Sequence, residues 1–372
     1  MFYVFTFARQ WTMAVVMLPY ILSGALDITW FFGGLEDFKV IVGRSTVVKL
    51  LTTVGIFLFV KKSSDTLIYA GVMTGGLLLS QVCLWPFLYQ RVEQVKTNWD
   101  HVVKHLKPSA LLFVPIIAVS FYKMMDKIML GYMTDMAQVG FYESSERIIQ
   151  IPMALVLSLG TVMLPHMAHL YAHNRAEQAR STFEKSIYLA MFLSTSMCFG
   201  IMAVAKTFVP WFYGPDFMIC VTLFQILLPS CMFLAFANVI RTQYLIPNEK
   251  DIDYTLSVIS GAVVNVLINW LLIPYWGAVG AAIGTLCAEI TVCVVQVMAC
   301  RRALAILRYA FNSLPFILAG IIMYLEVLRI NFPALPTFVN LSLQCVWGCV
   351  IYICTSEILC FFQQKTHIWK FF

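Results

Sequence analysis

Two apolar stretches of this chain carry charges that an oily environment excludes. One reads FYKMMDKIMLGYM and holds Lys123, Asp126 and Lys127; the next reads FYESSERIIQIP and holds Glu143, Glu146 and Arg147. Lys123 and Lys127 are four residues apart and Asp126 is three from Lys123, a spacing that gathers all three on roughly one helix face. The expectation is that Asp126 neutralises one lysine and leaves the other available. Arg147 lies about 14 Å along its stretch from the outer end, at about 1.5 Å per residue. Further on come Asn238 and Arg241, then Asn265 and Asn269 four residues apart, then Glu289. Ionisable groups in hydrocarbon are costly and mark pathways. Cations suit phosphate, and arginine can grip it bidentately. Taken singly, each group could be polar glue between helices or a closed ion pair. As a set they point to a hydrated cavity that handles a polar or anionic group.

The elements that must position these residues follow from composition. The chain has 372 residues, 60% of them hydrophobic and 12% charged, with a mean hydropathy of +0.82. A soluble domain carries about a quarter of its residues charged. A membrane-spanning helix needs about 20 mostly apolar residues, and about eleven stretches qualify. They run near 10–35, 41–60, 66–89, 109–133, 138–168, 186–209, 219–246, 254–275, 278–300, 309–330 and 337–361. Backbone polar groups in hydrocarbon must bond internally, so each stretch is a helix. The fold class is all-α: a polytopic membrane helix bundle. Pro152 and Pro165 are placed to kink the fifth helix.

Basic residues fix the orientation. Loops after the odd-numbered spans, with the C-terminal tail, carry about fifteen lysines and arginines against about five on the other side, and positive charge gathers on the cytoplasmic side. Arg44, Arg91, Arg175, Arg301 and Arg302 are among the fifteen. The C-terminus is expected inside and the N-terminus outside a cytoplasmic membrane. The net charge of +6 needs only anionic lipid as its partner, not nucleic acid. Residues 1–9 make a weak signal peptide, so an outside start implies a native chain that begins further upstream.

Other signals carry less. The eleven cysteines lack CxxC spacing and read as free thiols packed as small hydrophobes. His166, His169 and His173 could share a helix face, but no carboxylate or thiol completes a metal set, and interfacial histidines are the simpler reading. Asp251-Ile-Asp253 has the form of a glycosyltransferase DxD without a nucleotide-binding domain around it. Gly277, Gly280, Ala281 and Gly284 form a small-residue ridge for close helix packing. No Walker loop, GxSxG or HExxH is present, so no ATPase or hydrolase machinery is visible. The expectation is a transporter, not an enzyme, with no cofactor and no metal.

Two stretches echo each other: WFFGGLEDFK (30–39) and QYLIPNEKDID (243–253) each end a span, cross a short charged loop and lead into two more spans. Aligning Glu36 with Glu249 also aligns Gly71 with Gly284. Transporters are often built from related helix sets that rock around a central site. If spans one to three correspond to spans seven to nine, the repeat is six helices long and spans four to six lack counterparts.

DITWFFGGLEDFK (27–39), MDKIMLGYMTDMAQVGFYESSERI (125–148) and QYLIPNEKD with NVLINWLLIPYWGAVGAAIGT (243–285) resemble Wzx-type polysaccharide flippases of the multidrug/oligosaccharidyl-lipid/polysaccharide exporter superfamily. The resemblance runs nearly end to end. It implies a two-lobed exporter with a truncated first lobe: 1–106 as the remainder of the N-terminal lobe, 107–303 as a six-helix C-terminal lobe, and 304–372 as two added helices with a cytoplasmic tail. It also implies translocation, by alternating access, of oligosaccharide repeat units carried on undecaprenyl pyrophosphate across the bacterial cytoplasmic membrane, for capsule, exopolysaccharide or O-antigen synthesis. Polysaccharide polymerase and other assembly proteins would be partners beside the membrane lipids. Asp126, Lys127, Arg147 and Arg241 match the family's blocks by location; with Lys123, Glu146, Asn265 and Asn269 they make the candidate substrate cavity. The alternatives are a drug/cation antiporter of the same superfamily, a membrane-embedded polysaccharide polymerase or transferase, and an inactive truncated product. Polymerases often carry a sizeable external loop, whereas every outer loop here is short.

Overall fold

The computed structural model describes residues 11–35, 37–89, 91–93, 103, 124–330 and 335–364. Among them, ten helices are long and apolar enough to cross a membrane; the protein is a multi-pass membrane helix bundle. The expected span 109–133 lies outside the described residues up to 123, and Lys123 with it. The chain divides into two compact units, Met1–Pro108 and Ser109–Phe372.

In the first unit the leading apolar stretch is broken into three helices, α1 (Trp11–Val16), α2 (Leu18–Ala25) and α3 (Thr29–Gly34). Pro19, in the first turn of α2, cannot extend α1's ladder. Thr74 Oγ1 donates to the Val16 carbonyl at the break, at 2.9 Å. Asp27 ends the second piece and starts the third by accepting from Thr29 N at 2.8 Å and Thr29 Oγ1 at 2.5 Å. The longer α4 (Phe38–Phe59) and α5 (Thr66–Val82) follow, then the short α6 (Trp85–Tyr89). Asp65 turns the chain between α4 and α5 by accepting from the backbone N–H groups of Lys61 and Lys62 at 3.0 and 2.9 Å; these bonds hold its carboxyl below the usual range. Arg44, counted above with the loop charges, sits inside α4 instead and donates to the Ser80 carbonyl and, at 3.1 Å, to Gln81 Oε1. It covers carbonyls in the last turn of α5, where a cation is favourable.

The second unit begins, among the described residues, with α7 (124–133). Two 37-residue helices follow, α8 (Met136–Ala172) and α9 (Ala176–Phe212). Asp135 caps α8 by accepting from Gln138 N at 2.9 Å. The next helix, α10 (Ile219–Ile240), is the most enclosed, with 56% of its span buried. Its Leu223, Phe224, Leu227 and Leu228 pack with Ile149 of α8 and Cys198 of α9 in one core. It continues through a π-helical turn, Arg241–Leu245, to Glu249 in the left-handed region at φ 57°. The hairpin of α11 (Asp251–Trp276) and α12 (Ala278–Cys300) turns at Gly277. It closes tightly at Gly280, where a Cβ would lie 2.6 Å from the Leu272 backbone, so the small-residue ridge does serve close packing. Finally α13 (Ile306–Asn312), α14 (Leu314–Arg329) and α15 (Thr337–Gln364) pack on α9. Tyr352 of α15 donates to the Phe192 carbonyl at 2.9 Å.

Candidate functional site

The candidate residues fall into three groups, all in the second unit. At the centre of the first is Asp126 on α7, only 8% exposed. Asn265 and Asn269 of α11 donate their amide N–H groups to its Oδ1 at 2.8 and 2.6 Å. Thr285 of α12 and Tyr142 of α8 donate their hydroxyls to its Oδ2, both at 2.9 Å. The two hydroxyls are 2.8 Å apart. Four neutral donors from three helices thus surround one carboxylate. The arrangement satisfies the carboxylate's lone pairs without burying a second charge beside it. Helical spacing explains the pair on α11, since residues four apart share a face. Gly284 gives them room: a Cβ there would collide with Asn269 Oδ1.

Lys127 is not the lysine that Asp126 neutralises, and Lys123 lies outside the described residues. Consecutive helical residues point about 100° apart at 3.6 residues per turn, so Asp126 turns to α11 and α12 while Lys127 turns to α8. There Lys127 Nζ lies 2.5 Å from Glu143 Oε2 and 2.7 Å from Glu146 Oε2. Arg147 Nε reaches Glu143 Oε1 at 3.3 Å. This second group is half-exposed: 27% for the Lys127 side chain, 34% and 31% for the glutamates, 65% for Arg147. Lys127 is committed to two carboxylates. Arg147 is the cation that presents itself outward.

Arg241 belongs to a third group. Its Nη2 donates to Asn238 Oδ1 at 2.6 Å, and its guanidinium lies 5.7 Å over the Tyr254 ring. Asn238 in turn donates to the Val156 carbonyl of α8 at 3.1 Å. Val156 lies nine residues beyond Arg147, about 13 Å along the axis, so the structure does not bring the two arginines together on α8.

Among the described residues no three His, Cys, Asp or Glu gather as a metal set. The Asp126 carboxylate already accepts four hydrogen bonds, two of them from amide N–H groups, so the nest presents donors and not a ligand set. His169 and His173 stack with ring centroids 4.1 Å apart at the end of α8.

Comparison with known proteins draws these observations together. Residues 2–171 match the family described as Polysaccharide biosynthesis protein, and residues 112–271 match the MatE family. A candidate O-antigen transporter of Shigella dysenteriae is 21% identical over 285 residues, 75% of this chain and 70% of that protein. A candidate low-salt glycan biosynthesis flippase of Haloferax volcanii is 27% identical over 165 residues, 44% of this chain and 35% of that protein. The solved structure of the lipid II flippase MurJ in an inward closed conformation superposes with a TM-score of 0.75 at 13% identity, covering 95% of this chain and 73% of that one. Each family match spans a little under half of the chain, and together the two run from residue 2 to residue 271.

The fold is the one that the solved MurJ structure shares. The sequence blocks that carry the resemblance contain every member of the Asp126 nest. Tyr142 and Thr285 nevertheless went unremarked as site residues. Both are neutral and common in spans, and only the fold places them against a carboxylate 16 and 159 residues away.

Proposed function

We propose that this protein moves undecaprenyl-pyrophosphate-linked oligosaccharide repeat units from the inner to the outer leaflet of the bacterial cytoplasmic membrane. It does so by alternating access, for surface polysaccharide synthesis. Flippase-type translocation of a lipid-linked oligosaccharide is supported by the two family matches and by the relatives' likeness. The observation that carries the finer reading is Arg147: a guanidinium well inside a membrane-spanning helix, its side chain 65% exposed, beside Glu143. A phosphate can take that guanidinium bidentately, while the water-filled surroundings keep both charges solvated. Lys127, clamped by Glu143 and Glu146, holds the helix pair α7–α8 in register beneath it. The prenyl tail stays in lipid through a lateral opening as the head group crosses.

In this reading 1–106 belongs to an N-terminal lobe, 107–303 forms the C-terminal lobe and 304–372 is an addition with a cytoplasmic C-terminus. Polysaccharide polymerase and other assembly proteins are the partners that consume the product. The cavity set is Lys123, Asp126, Lys127, Glu146, Arg147, Arg241, Asn265 and Asn269. The test is complementation of a polysaccharide export defect: alanine at Arg147 and Arg241 should abolish export, and intact export would sink the cationic-cavity mechanism.

The match of residues 112–271 to the MatE family supports one second reading, a drug/cation antiporter. Ion-coupled efflux from vesicles discriminates: the flippase shows none.

A further inference from the structure

The exposed residues of the second unit's helices sort by face. On α11, Leu256, Ile259, Val263, Val266, Leu267 and Trp270 are exposed at helical spacing; this apolar stripe suits hydrocarbon. The exposed stripe on α8 differs. Arg147, Gln150, Ile151, Ala154, Leu155 and Ser158 follow the same spacing and share one open face of this helix. An arginine, an amide and a hydroxyl on one face through the middle of a span do not sit against lipid, where each polar group would lose its partners. This face meets water.

The face has a polarity of its own. Arg147 marks one end, and Ser158 lies eleven residues on, about 16 Å along the axis. Gln150 stands three residues from Arg147, exposed, and its amide makes no hydrogen bond among the described residues. Ser158 spends its proton on the Leu155 carbonyl at 2.7 Å, which leaves its oxygen to accept. Ile151, Ala154 and Leu155 supply an apolar floor. A primary amide donates and accepts, as sugar hydroxyls do, and apolar side chains suit the C–H faces of a sugar ring.

We propose that Gln150, with Ser158 beyond it, reads the sugar portion of the lipid-linked substrate whose pyrophosphate rests at Arg147, and so is a specificity-determining residue. The inference rests on the flippase reading and deepens it.

The experiment compares binding of two probes to the purified full chain: a prenyl pyrophosphate, and the same lipid bearing an oligosaccharide. Gln150→Leu is expected to shrink the preference for the sugar-bearing lipid about five- to tenfold, the worth of one hydrogen bond or two. Gln150→Asn, which keeps the amide, should retain part of it. A purely structural role would not move this ratio. A preference unchanged in Gln150→Leu overturns the proposal while leaving the flippase reading intact. Arg147→Ala should weaken both probes alike; if it binds both as the wild type does, the phosphate anchor falls and this inference falls with it.

Discussion

Asp126 and Lys127 are neighbours on α7, yet the carboxylate sits among four neutral donors and is 8% exposed, whereas the lysine side chain sits between two carboxylates and is 27% exposed. Position around the helix decides which. Towards α11 and α12 the carboxylate is buried, and a counter-ion there would have to be desolvated too, so neutral amides and hydroxyls do the work. Towards the outer face of α8 the charges keep part of their hydration, and ion pairs form and rearrange at little cost. The buried nest fastens α7, α8, α11 and α12 to one another. The half-exposed cluster is the part that can exchange partners with a passing anion.

The largest expected effect breaks the nest outright. Asp126→Leu removes the shared acceptor of two amides and two hydroxyls; the hydroxyls can turn to each other, and each group left stranded costs about 1–3 kcal/mol, so resistance to denaturation in detergent should fall sharply. Asp126→Asn separates hydrogen bonding from charge. Its amide oxygen can face Asn265 and Asn269, and its amide nitrogen the two hydroxyls, which can turn to accept. Stability should stay within about 1 kcal/mol of wild type. If Asp126→Asn destabilises as much as Asp126→Leu, charge rather than hydrogen bonding holds the nest.

Crowding comes next. A methyl at Gly280 meets the Leu272 backbone at 2.6 Å, and backbone cannot swing aside, so Gly280→Ala should cost about 1–3 kcal/mol by thermal unfolding. Tyr142→Phe and Thr285→Val each remove one donor from Asp126, worth about 0.6–1 kcal/mol for a side-chain hydrogen bond in a membrane protein. The smallest effect should come from the exposed side of the comparison. A double-mutant cycle of Lys127→Met with Glu146→Gln should give a coupling of only about 0.5–1 kcal/mol, discounted for solvent screening. A coupling well above that would erase the distinction between the two clusters.

Much of this was legible from residue order. The described spans follow the apolar stretches, and Asn265 with Asn269 stood out because four-residue spacing of amides in a span is conspicuous. Their meeting with Asp126 was not legible, since it joins residues 139 and 143 apart, and only tertiary packing decides it. Local spacing also put Lys127 on the face of Asp126, whereas in the fold Lys127 pairs with Glu143 and Glu146 and Asp126 takes donors from three other helices. The leading stretch 10–35 read as one span and is one, Trp11–Phe32, but its helix is broken at Pro19 and at the Asp27 cap. The π turn after Ile240 left no trace in the hydropathy pattern, because it changes the helix pitch and not the residue types.

The most direct test of translocation is leaflet exchange in liposomes reconstituted with the purified chain. A lipid-linked oligosaccharide is placed in one leaflet, and its arrival in the other is read by an enzyme that cannot cross. The account predicts protein-dependent arrival that drops at least about tenfold in Arg147→Ala, the loss of a charge-assisted contact of about 1.5–3 kcal/mol. Arrival at the same rate in empty liposomes, in wild type and in Arg147→Ala would contradict it.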